Sequence, residues 1–180
     1  MSQIQIKKKR CKGCETDQYI WARGMCRKCV AKLSQPKKIN TVRQIGSKGS
    51  GDLQDLIDDL DAVYSRYLRI KYADSNGIVE CYTCGEKSHY TTQDCGHLFS
   101  RKHLILRWDC NNTRVQCKKC NQLLDGNIKI FKERLEAEMP NIIEYLYSQS
   151  NLVLKPTRDE LKELIIEYRY KLKLVETKLN

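Results

Sequence analysis

Residues 81–127 read CYTCGEKSHYTTQDCGHLFSRKHLILRWDCNNTRVQCKKCNQLLDGN. Two Cys-x-x-Cys pairs, Cys81/Cys84 and Cys117/Cys120, bracket 32 residues. Two thiolate pairs close a tetrahedral zinc shell and leave no open position, so a zinc ion held there is structural. The ion fixes the ends of an insert, and the insert is where chemistry is expected. It contains Asp94, His97 and Asn112, and Asn121 follows the last cysteine directly.

Outward from this stretch, the chain of 180 residues allows one ordinary domain or a small one with appendages. Hydrophobic residues make up 41% of it, enough for a modest core that metal sites would reinforce. Ten cysteines without a secretory signal read as thiolates in a reducing compartment. No apolar run approaches bilayer length. The expectation is a soluble protein of the cytoplasm, with no membrane partner.

The net charge of +11 is unevenly spread. Residues 1–51 hold 13 Lys and Arg against Glu15 and Asp17, a balance of +11, and the remainder is neutral. A basic arm on a neutral body is an electrostatic footprint for nucleic acid. The arm contains a second metal motif, CKGCETDQYIWARGMCRKC at 11–29. Cys11, Cys14, Cys26 and Cys29 would form a second four-cysteine zinc site, a small knuckle with a hairpin across Tyr19, Ile20 and Trp21. Residues 34–51, rich in Ser, Gly, Lys and Pro, read as a flexible basic linker.

Leu53, Ile57, Leu60, Tyr64 and Tyr67 recur at 4-3-4-3 spacing and predict a helix over 52–73. Acids crowd its start and bases its end, as the helix dipole favours. Asn76-Gly77 is a turn, and Ile78–Cys81 a short strand. A helix over IKIFKERLEAEM is expected to be capped by Asn127 and stopped by Pro140, with a second short helix over 141–149. After Pro156, Thr157 and Glu160 form a capping box. Leu161, Ile165, Tyr168, Leu172, Val175 and Leu179 then make a short coiled-coil-like seam. That seam can pack on the 52–73 helix or make a homodimer contact.

Hydrolysis of a phosphodiester needs a base for water, a cation for the departing oxygen and a hold on the backbone. His97 is a candidate base, since neutral imidazole is available near pH 7. Asp94 and Asn121 are hard oxygen donors suited to Mg²⁺. Between residues 95 and 121, Arg101, Lys102, Arg107, Arg114, Lys118 and Lys119 face one acid, Asp109, and are candidate DNA contacts. A histidine between zinc pairs can equally be a packing residue. Cys95 and Cys110 are left over from the quartets and read as small buried residues.

The run Cys-x-x-Cys … Asp-x-Gly-His … Asn-x-x-x-Gln-Cys-x-x-Cys-Asn resembles the HNH, or ββα-metal, endonucleases. More narrowly, Asp94-Cys95-Gly96-His97, Arg107-Trp108-Asp109, Asn112, Gln116 to Asn121 and Gly126-Asn127 look like the phage NinG (Rap) recombination endonuclease family. The resemblance covers roughly residues 52–150. It implies that His97 is the general base, that Asn112 holds the loop of the hairpin, and that Asn121 is a ligand of a catalytic Mg²⁺ or Mn²⁺. One departure stands out: many HNH enzymes carry an acidic metal ligand directly before the histidine, and here that residue is Gly96. Asp94, on the same side of an extended strand, is the substitute.

The expected fold is α+β and mostly helical: a zinc-stapled ββα-metal (HNH-like) core flanked by helices, with a small N-terminal zinc knuckle. The units are a knuckle at 1–33, a linker at 34–51, a core with its leading helix at 52–150 and a C-terminal helix at 151–180. The expected function is metal-dependent endonuclease action on branched DNA, of Holliday-junction or D-loop type, in a bacterial host's cytoplasm if the chain is phage-encoded. The alternative is a non-catalytic zinc-finger DNA-binding or adaptor protein; a weaker third reading is an RNA-binding regulator.

Overall fold

The computed structural model describes residues 9–12, 14–18, 20–22, 25–26 and 53–179. It is mixed α and β, mostly helical, with four two-stranded antiparallel sheets among the described residues. Near the N-terminus β1 (Lys9–Arg10) pairs β2 (Asp17–Gln18), and β3 (Ile20–Ala22) pairs β4 (Met25–Cys26). Cys11 is buried and Cys14 is exposed. The Cys26 side chain, Cys29 and the 34–51 linker lie outside the described residues, so the second zinc quartet is not on view as a whole.

Helix α1 (Leu53–Tyr72) buries Ile57, Leu60, Tyr64, Leu68 and Ile70. The stripe drifts from the expected one, because Leu53 is exposed and Leu68 takes the place of Tyr67. Asp74 then organises the turn, its carboxylate accepting from the Asn76 and Ile78 amides at 2.9 Å each. Gly77, at φ +76°, faces the His89 ring so closely that a side chain would collide with it.

The hairpin of β5 (Ile78–Glu80) and β6 (Lys87–His89) leads into a second hairpin. There β7 (Gln93–His97) pairs β8 (Thr113–Cys117) with Asp94 opposite Gln116 and His97 opposite Thr113. The connection between these strands holds a short helix, α2 (Leu104–Arg107).

A helical turn, Lys119–Leu123, follows β8 at once and is wound as a π-helix. Asp125, Gly126 and Asn127 all have positive φ, and α3 (Ile128–Glu138) starts only after them. Asn127 is left-handed and makes no side-chain cap, contrary to expectation, because its amide is turned back toward Cys120 Sγ, 4.0 Å away. Pro140 separates α3 from α4 (Ile142–Ser150) as the sequence suggests.

Helix α5 (Arg158–Glu176) opens with the full Thr157/Glu160 capping box. Its seam packs on α1: Leu161 and Ile165 share a core with Ile57, Leu60, Tyr64 and Trp108. Tyr168 stands edge-on to Tyr64 at 4.9 Å. Two ion pairs, Arg169–Asp59 at 2.9 Å and Arg66–Glu176 at 2.8 Å, flank it and, being exposed, contribute little. A second core gathers Leu98, Ile105, Leu106, Phe131, Leu135, Ile142, Leu146 and Leu154 beneath the α2 loop. Each such fully buried leucine is worth about 2 kcal/mol. The 93–117 hairpin is thereby held between two helical layers. Among the described residues, no helix is long and apolar enough to cross a membrane.

Candidate functional site

The four cysteines of the main motif converge. Cys81, Cys84, Cys117 and Cys120 have all sulfurs within 4.8 Å of one another, with Cys84 and Cys117 at 3.8 Å. A zinc–sulfur bond of about 2.3 Å in a tetrahedron puts sulfurs about 3.8 Å apart, so this cluster could hold a zinc ion. The Cys120 amide also donates to Cys117 Sγ at 3.4 Å. Burial works against ionising these thiols. At Cys81 hydrogen bonds from Thr83 and the backbone overcome it and bring the pKa to about 6, whereas Cys117 is pushed up to about 12. A bound dication would resolve that conflict by holding all four as thiolates.

Beside this cluster a polar cleft of about 410 Å³ opens between α1, β7 and the Lys119–Leu123 turn. Asp94, His97, Asn121, Asp61 and Arg101 all line it. Asp94 and Asn121, 27 residues apart, touch: Asn121 Nδ2 donates to Asp94 Oδ2 at 3.0 Å, and Gln122 Nε2 to the same oxygen at 2.7 Å. A half-turn of the Asn121 amide brings two oxygens together, a donor pair that fits a hard cation such as Mg²⁺.

His97 is half-buried, lies outside the cysteine cluster and is not packed into an apolar core. Its Nδ1 lies 3.1 Å from the Cys95 carbonyl and its Nε2 2.9 Å from the Arg107 carbonyl. A neutral ring has one N–H and cannot donate to both. With the proton on Nε2, at the shorter contact, Nδ1 carries the lone pair that a base needs and faces the Cys95 carbonyl. Burial holds the His97 pKa below its ordinary 6.5, and the Arg101 charge adds to this against the two carbonyls.

Asn112 is fully buried and stitches the connection between the strands. Its Oδ1 accepts from the Phe99 amide at 2.7 Å, while Nδ2 donates to the Phe99 and Leu106 carbonyls at 2.9 and 3.1 Å. The Arg107 carbonyl that grips His97 belongs to this same stitched loop.

Two of the six candidate phosphate contacts are corrected by the structure. Arg107 gives its guanidinium to Asp61, at 2.7 Å from Nη2 and 3.0 Å from Nε. Arg114 is buried, donates to the Cys110 and Thr113 carbonyls, pairs with Glu138 at 3.2 Å and lies over the Tyr82 ring. Both hold the fold together instead of facing solvent. Arg101, Lys102, Lys118 and Lys119 are exposed. Cys110 is exposed too, against the expectation of burial, whereas Cys95 lies in the cleft wall with its thiol pushed up to about 12 by burial.

Sequence reasoning overlooked Asp61, which looked like one more acid at the front of a helix. Its carboxylate accepts from Arg107 and from the Trp108 indole at 2.7 Å, with the Arg101 guanidinium 3.8 Å away. Gln116 accounts for Gly96. A Cβ on Gly96 would lie 2.0 Å from Gln116 Oε1. The Gln116 amide donates across to Thr83 Oγ1 at 3.1 Å and to the Gly126 carbonyl at 2.8 Å. The space of an acidic side chain before His97 is therefore filled by a glutamine that ties the hairpin to the zinc motif, and Asp94 is left as the carboxylate of this face.

No curated protein and no solved structure matches the chain. One family model does, described as bacteriophage lambda NinG protein, over residues 27–178. Its span takes in the four-cysteine cluster, the cleft and both helical layers, and begins after Cys11, Cys14 and Cys26. The match runs over far more than half of the sequence, and the chain belongs to the bacteriophage lambda NinG protein family.

Proposed function

We propose that this protein is a metal-dependent DNA endonuclease of the HNH, or ββα-metal, kind, acting on branched recombination intermediates of the Holliday-junction or D-loop type. The observation that carries the reading is the meeting of Asp94 and Asn121, 3.0 Å apart, in the cleft that His97 also lines. An antiparallel hairpin followed directly by a helical turn and stapled by cysteines supports it as architecture.

Asp94 and Asn121 would hold the ion, which when bound neutralises charge on the phosphate and its departing oxygen. His97 takes the proton of the attacking water on Nδ1, and its Nε2–H stays on the Arg107 carbonyl to fix the ring. Asn112 keeps that carbonyl in place by clamping the loop. Arg101 at the cleft wall, with Lys102, Lys118 and Lys119, meets neighbouring phosphates. The basic arm at residues 1–51 adds attraction that is independent of sequence.

A second reading has one observation behind it. Both His97 nitrogens rest near carbonyls, as a structural histidine's would in a zinc-stapled DNA-binding adaptor. One experiment separates the two. Wild type and His97→Ala are compared for binding and for nicking of four-way and linear DNA, with Mg²⁺ or Mn²⁺. The nuclease reading expects equal binding and a loss of cutting of about a hundred-fold or more in the variant. Wild type that binds but never cuts would leave the adaptor standing.

A further inference from the structure

Between the residues that line the cleft, the chain puts two leucines into solvent. Gln122 and Asp125 both line the cleft, and Leu123 and Leu124 lie between them in the chain. Leu123 is 80% exposed and Leu124 49%. Isolated exposed leucines are ordinary; an adjacent pair beside a polar cleft is not accounted for by packing.

The pair is also firmly mounted. The Leu124 amide closes on the Lys119 carbonyl at 3.0 Å, and the Asn127 amide closes on the Leu124 carbonyl at 2.7 Å. Behind them, the Gly126 carbonyl is held by Gln116. Exposed Lys118, Lys119 and Lys129 lie on either side in sequence, three cations against the one exposed acid, Asp125, that follows Leu124. An apolar side chain framed by cations suits a nucleic acid whose stack is interrupted, with phosphates on the lysines and a bared base face on the leucine.

We propose that Leu123 and Leu124 form a wedge that enters the open stack at a DNA branch point and seats the adjoining phosphodiester over the cleft. In continuous duplex the same wedge must first unstack a base step, whereas a branch point presents the gap already open. The device would thus make the cleft prefer branched over linear DNA. This inference rests on the nuclease reading only for its consequence, since the insertion itself is a binding event.

The test uses the full-length, zinc-loaded chain and four-way DNA carrying 2-aminopurine at the branch point, with Ca²⁺ in place of Mg²⁺. Wild type should brighten the probe at least three-fold more than it brightens the same base in linear duplex. Leu123→Ser should lose most of that difference, and Leu123→Met, which keeps an apolar tip, should restore it. In Mg²⁺, Leu123→Ser should narrow the ratio of junction to linear cutting and leave the linear rate unchanged. A serine variant as bright as wild type overturns the wedge, as does wild-type brightening that is equal on both DNAs. A change in oligomeric mass without a change in fluorescence would assign the leucines to a protein contact and overturn it also. Brightening without cutting by any divalent ion would sink the nuclease reading and leave the wedge.

Discussion

At the residue scale, the candidate base and the carboxylate that steadies it are separate problems. His97 is held below its ordinary pKa chiefly by burial. The neutral, base-competent form is thus favoured in the folded chain, and activity is lost only as pH falls through that lowered pKa. The acidic limb of kcat/KM should lie below pH 6.5; a limb at or above that value would contradict the assignment. Asp61 contributes at one remove, because it holds Arg107, whose carbonyl holds His97. Asp61→Ala strands a largely buried guanidinium and should cost about 3 kcal/mol in denaturant unfolding. It also removes a negative charge that favours imidazolium, so the acidic limb should move to still lower pH. A residue that only glued helix to loop would change stability and leave the limb in place.

At the scale of elements, the cysteine cluster joins the turn after β5 to the end of β8, and the Lys119–Leu123 turn begins within it. Removing an ion held by this cluster would free that junction and, through Thr83 and Gln116, the base of the hairpin. Cys84→Ser, or chelation of the wild type, should lower the unfolding midpoint by roughly 10 °C or more, the equivalent of about 3 kcal/mol at this chain length. Metal analysis should find the corresponding ion missing. An unchanged midpoint would show that the hairpin stands on its hydrophobic contacts alone. Both flanking helices and the capping box were legible in sequence, because each rests on spacing or on residues a few positions apart, whereas the 93–117 hairpin was implied by the family resemblance alone. The left-handed reversal at Asp125-Gly126-Asn127 was read only as the cap of a helix beginning after it: those residue types suit either, and in the fold Asn127 turns toward Cys120 while Gln116 holds the Gly126 carbonyl.

For the molecule as a whole, charge and chemistry lie in different segments. The arm at 1–51 carries the entire positive excess, and the cleft lies in the neutral remainder. Deleting residues 1–45 should weaken binding to all DNAs alike and flatten its dependence on salt, with the preference for branched DNA unchanged. Filter-binding or fluorescence titrations at several salt concentrations measure both quantities. An unchanged slope would move the main phosphate contacts to the body, onto Lys102, Lys118 and Lys119.

Beyond the strand bearing Asp94 and His97, which only the family resemblance implied, the chain's own order of residues determined that four cysteines would converge and that a capped helix would close the fold. Those features follow from ligand chemistry and from local periodicity, which do not depend on distant partners. Only the tertiary structure decided which charges face water. Arg107 and Arg114 look like any other bases in the insert, yet Asp61, 46 residues before Arg107, and Glu138, 24 residues after Arg114, draw them inward. The same holds for Gly96, whose missing side chain makes sense only once Gln116 folds across the hairpin into that space. A partially buried charge takes whatever counter-charge the fold brings near, and that pairing is set by packing between helices, not by neighbours in the chain.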